Sequence, residues 1–74
     1  MNETPDEHWE LLYSSQHLYK VSILKDLLDE EDITSVIVNR QDSAYVWLGE
    51  IELYVRRDEL MQARVILTKF SEGE

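Results

Sequence analysis

Ile51-Glu52-Leu53-Tyr54-Val55-Arg56 is the stretch on which the fold turns. Successive side chains of a strand point to opposite faces, so Ile51, Leu53 and Val55 share one face while Glu52, Tyr54 and Arg56 share the other. A strand with one wholly aliphatic face needs a layer to cover it. The cover begins directly downstream. Leu60, Ala63, Ile66, Leu67 and Phe70 recur at helical spacing, with Asp58 and Glu59 at the positive end and Lys69 towards the negative end. Met61 and Val65 fall on the far side of that helix and read as a solvated pair.

Upstream, Ile33–Asn39 (ITSVIVN) is rich in β-branched residues and predicts a second strand. Before it the period changes. Between Gln16 and Glu31, Val21, Ile23, Leu24, Leu27 and Leu28 gather on one arc, with Ser22, Lys25, Asp26, Asp29 and Glu30 opposite. This predicts an amphipathic helix with Ser15 as its N-cap. Trp9–Ser14 (WELLYS) predicts the first strand. The order β-α-β-β-α specifies an α+β, two-layer sandwich with both helices on one face of a three-stranded mixed sheet. The expected strand order is 2-3-1, with the first and third strands as parallel neighbours. This is a ferredoxin-like unit lacking its last strand. One domain spans 9–70, between an acidic, disordered tail over 1–8 and a frayed end over 71–74.

The chain has 74 residues, and sixteen acids against seven Lys and Arg give a formal net charge of -9. That balance opposes binding to nucleic acid or to an anionic membrane. No cysteine is present, which excludes a disulfide scaffold and thiolate metal sites. No apolar run approaches the ~20 residues of a membrane span, and the first residues are acidic and polar. A cytoplasmic protein is expected.

The segment Asn39-Arg40-Gln41-Asp42-Ser43-Ala44-Tyr45, followed by Gly49-Glu50-Ile51-Glu52-Leu53-Tyr54-Val55, resembles a bacterial family described as putative prokaryotic signal-transducing proteins. Together with the tryptophan-led first strand and the Leu-Leu-Asp-Glu-Glu end of the first helix, the likeness runs from Trp9 to Phe70. It implies a fold related to ferredoxin-like and PII-type regulators and specifies no activity. Relatives often carry Asn-Gly where the first helix ends. This chain has Glu31 and Asp32, so a different turn is expected there.

Chemistry-bearing residues are few. His8 and His17 flank the first strand at opposite ends, too far apart for a shared metal site. Ser14 or Ser15 beside His17 lacks an orienting acid or an oxyanion site. Asp29, Glu30, Glu31 and Asp32 fail the calcium-loop spacing and read as a solvated face. No Gly-rich loop precedes a helix. Neither a catalytic set nor a cofactor or metal site is expected.

Two features remain. The connection from Arg40 to Glu50 is long and carries polar Gln41, Asp42 and Ser43, then Tyr45, Val46, Trp47 and Leu48. It is either a binding loop or a segment whose apolar residues fold back on the sheet as a strand extension or a lid. The second feature follows from parity. With Ile51, Leu53, Val55, Ile33, Ile37 and Leu12 turned to the helices, Trp9, Leu11, Tyr13, Val36, Val38 and Tyr54 display an apolar surface on the opposite face. The binding set expected from both features is Gln41, Asp42, Ser43, Tyr45, Trp47, Trp9, Leu11, Tyr13, Val36, Val38 and Tyr54. The function expected is a non-catalytic regulatory or protein-interaction module that binds a protein partner or itself as a homodimer. The alternative is a small-ligand sensor using the loop and the open sheet face as a pocket. A small enzyme ranks last.

Overall fold

The computed structural model describes residues 8–39 and 50–73. Its elements run β1 (Trp9–Ser15), α1 (Leu18–Glu30), β2 (Ser35–Asn39), β3 (Ile51–Arg56), a single 3₁₀ turn (Arg57–Glu59) and α2 (Leu60–Gly73). The sheet has the order β1-β3-β2, which is the expected order read from the other edge. Ile51, Leu53 and Val55 of the central strand are fully buried, as their alternation predicts. They form one core with Val21, Leu24 and Leu28 of α1, Ile33, and Ala63 of α2. Both helices therefore cover the same face of the sheet. Ala63 has no exposed surface, and its single methyl group lets α2 approach the core closely.

β1 and β3 are antiparallel neighbours, not parallel ones, and β2 is antiparallel to β3 as well. The sheet is therefore antiparallel throughout rather than mixed. Connectivity explains the correction. A helical crossover returns the chain in the same direction, so β1 and β2 run together, and the reversal into β3 makes the strand between them oppose both.

The second correction lies within β1. Leu11 pairs with Tyr54, but the next pair is Tyr13 with Leu53, so Leu12 is an extra residue in a β-bulge. Beyond the bulge the parity inverts. Tyr13 turns to the helix side, where its ring meets Phe70 of α2 edge to face, centroids 5.6 Å apart and planes at 85°. Leu12 packs against the core too.

The first helix starts later than its apolar spacing suggests. His17 occupies the N-cap with an extended backbone and makes no capping bond through its side chain. The Ser15 hydroxyl accepts the His17 backbone N–H at 3.1 Å, so it shapes the turn that enters the helix rather than capping it. Leu27 is half-buried, and Ile23, expected on the buried arc, is exposed.

The other end of α1 closes in the two-bond turn that glycine usually completes. Ile33 N–H donates to the Leu28 carbonyl at 2.9 Å, and Asp32 N–H donates to Asp29 at 3.0 Å. Asp32 itself stands at φ 61°, in the left-handed region. The expectation of a different turn is thus overturned. Aspartate is among the few L-residues that enter this region at tolerable cost. Ile33 is consequently the last residue of the turn rather than the first of β2.

Candidate functional site

β3 also has one buried residue on its outward side. Its Tyr54, directed away from the helices, keeps only 9% of its surface exposed and donates its hydroxyl to Glu52 Oε1 at 2.9 Å. On its flanks, Leu11 of β1 and Val36 of β2 are its direct cross-strand partners. These two are 50% and 36% exposed. Leu11-Tyr54-Val36 is thus an apolar row running straight across all three strands. Cross-strand partners share a face, so each residue of the row packs on the next.

Other candidate residues extend the row. Trp9, paired with Arg56, and Val38, paired with Glu52, lie on the same face and are half-buried. Tyr13 does not belong to it, because the bulge turns that side chain to Phe70. Ser14 takes its place, opposite Glu52. Period-two reading missed Ser14, since nothing in WELLYS marks the extra residue. Gln41, Asp42, Ser43, Tyr45 and Trp47 lie outside the described residues.

The face is therefore apolar along its centre and mixed at its margins, with Glu52 and Arg56 as its charges. Around the sheet's other end, Arg57 Nε bonds Glu10 Oε2 at 2.9 Å, and Arg57 N–H donates to the His8 carbonyl at 2.8 Å. His8, Arg56, Arg57 and Asp58 line a cleft of about 390 Å³ there. Each arginine of the cleft faces a carboxylate, Arg57 meeting Glu10 and Arg56 meeting Asp58 at 3.8 Å. The charges thus balance locally.

Among the described residues no three His, Asp or Glu side chains are grouped to hold a metal ion. No described helix is long and apolar enough to cross a membrane. Lys25 reaches a buried polar group. Its Nζ lies 3.5 Å from both the carbonyl and the hydroxyl of Ser35, and 3.6 Å from Asp29 Oδ1. This arrangement ties α1 to the start of β2.

Neither the curated proteins nor the solved structures yield a match. A family model does match, over residues 9–71, from the first residue of β1 almost to the end of α2. The segment that led to the resemblance and the two-layer fold built around it agree with that match, and the chain belongs to the family described as "Putative prokaryotic signal transducing protein".

Proposed function

We propose that this protein is a non-catalytic interaction module of a signalling system, and that it binds a protein partner or a second copy of itself through the helix-free face of the sheet. The observation that carries this reading is the row Leu11-Tyr54-Val36, whose outer members are exposed on a face that neither described helix covers. A small domain gains little by leaving aliphatic side chains in water at the middle of a sheet face, whereas a partner that covers them gains their burial. The family description is in keeping with a regulatory role.

Native mass spectrometry and sedimentation of the full chain test the proposal. A homodimer, or a stable complex with a protein from the native host, supports it, provided Leu11→Ser and Val36→Ser weaken the association without unfolding the chain. A stoichiometric bound metabolite in place of a protein replaces it with the small-ligand sensor. Turnover of a substrate by the purified chain refutes the non-catalytic assignment.

A further inference from the structure

Along its outward side β3 reads Glu52, Tyr54, Arg56, with the tyrosine in the middle of the apolar row Leu11-Tyr54-Val36. Two residues of strand span about 7 Å, so an acid and a base stand at equal distances on either side of that row. Both charges belong to the central strand of the sheet. The Tyr54 hydroxyl, bonded to Glu52 Oε1 at 2.9 Å, holds the carboxylate against the face.

A face of this kind is its own complement in one orientation. Two sheets pack face to face about 10 Å apart with their strands nearly aligned. A two-fold axis lying between them and running across the strands reverses β3 against its image. Glu52 then stands over Arg56 of the second copy, Arg56 over its Glu52, and the apolar row over itself. An axis running along the strands instead sets Glu52 over Glu52 and Arg56 over Arg56, which like-charge repulsion opposes.

The charge of the whole chain points the same way. Two copies at -9 repel each other, whereas one acid and one base leave this face neutral. A second copy therefore meets less repulsion here than at the exit of α1, where Glu30, Glu31 and Asp32 are exposed. Arg56 lies 3.8 Å from Asp58, but that pair is exposed to solvent and competes little. Three strands of some six residues offer about 300 Å² in projection, well under the ~800 Å² a side of a standard interface. The resulting dimer is weak and forms as concentration rises.

We infer that the partner for this face is a second copy of the chain, packed about a two-fold axis that crosses the strands at Tyr54. The inference rests on the sheet face being the interaction surface proposed above, and adds the partner and its orientation. Across the axis Leu11 meets Leu11 and Val36 meets Val36, and two Glu52–Arg56 pairs set the direction of the strands.

The test is sedimentation equilibrium and native mass spectrometry of the full chain over rising concentration, with melting curves to show that each variant folds. The wild-type chain is expected to dimerise. Glu52→Arg and Arg56→Glu are each expected to weaken the dimer about tenfold or more, since each sets like charges face to face twice. An equimolar mixture of the two single variants is expected to recover the association as a heterodimer. Orientation is read separately. The chain has no cysteine, so Leu11→Cys alone, or Val36→Cys alone, is expected to cross-link to itself through a short bis-maleimide. The opposite axis would cross-link only a mixture of those two variants. A monomeric wild-type chain, a mixture that recovers nothing, or cross-linking confined to the mixed cysteine variants would overturn the inference. A monomer that binds a host protein, and loses it in Leu11→Ser, overturns it but leaves the sheet face as the interaction surface. A dimer untouched by both Leu11→Ser and Val36→Ser overturns the two together.

Discussion

Ile33 donates its backbone N–H to the Leu28 carbonyl at 2.9 Å while both side chains enter the same core. One turn thus stops the helix, satisfies its last carbonyls and delivers the chain to β2 with an isoleucine already buried. The arrangement requires Asp32 at φ 61°. Asp32→Gly relieves a left-handed penalty of about 1 kcal/mol and returns part of it as unfolded-chain entropy, so a net gain of about 0.5 kcal/mol is expected. Asp32→Asn removes the charge but keeps tolerance for the turn, which separates the electrostatic share. Asp32→Val is expected to lose about 1–2 kcal/mol. Urea unfolding of the three variants checks the order Gly, Asn, Val.

The core prediction sets two residues of α2 against one of β3. Leu53→Ala empties the fully buried centre of β3 and is expected to cost about 2–5 kcal/mol. Ala63→Leu forces four heavy atoms less one into a contact with no exposed surface, and overpacking of this kind costs about 1–3 kcal/mol. Met61→Ala is expected to change stability by less than about 0.5 kcal/mol, because its side chain is solvated. Chemical denaturation that ranks Met61 above either of the others would place α2 the wrong way round.

The edge-to-face contact of Tyr13 and Phe70 is what the bulge achieves, since without it the tyrosine would point to the opposite face. A double-mutant cycle with Tyr13→Leu and Phe70→Leu is expected to give a coupling of about 0.5–1.5 kcal/mol. Zero coupling would mean that the rings do not meet in solution.

Arg57 and Glu10 form the shortest described ion pair, at 2.9 Å, yet both side chains are substantially exposed. Solvent screening should hold its contribution below about 1 kcal/mol. Arg57→Met is therefore expected to shift the thermal midpoint slightly at low salt and not at all at high salt. A large, salt-independent loss would point instead to packing of the arginine stem.

Much of the fold was legible because its signals are local and periodic. The six residues of β3 follow from alternation, helical spacing places Val21, Leu24 and Leu28 in the core but wrongly adds Ile23, and strand order follows from connection lengths. What failed was each place where one residue breaks a period. A single unpaired Leu12 inverts the facing of Tyr13 and Ser14, and no residue type in Trp9–Ser15 announces it. The direction of β1 relative to β3 was available from the connectivity, and only the reversal between β2 and β3 had to be carried through. Asp32 was misjudged because glycine is favoured, not required, at a left-handed position. For the candidate face, alternation in β2 and β3 correctly assigned Val36, Val38 and Tyr54.

The bulge at Leu12 also governs how molecules of this protein can meet. β1 and β2 are the outer strands of the described sheet. A regular outer strand is a template on which a neighbour's strand can add, and then another, without end. β1 interrupts that template one residue past Leu11, and β2 is only five residues long. An incoming strand would lose register at the first and run out of length at the second. Assembly by sheet extension is thereby discouraged along both described outer strands.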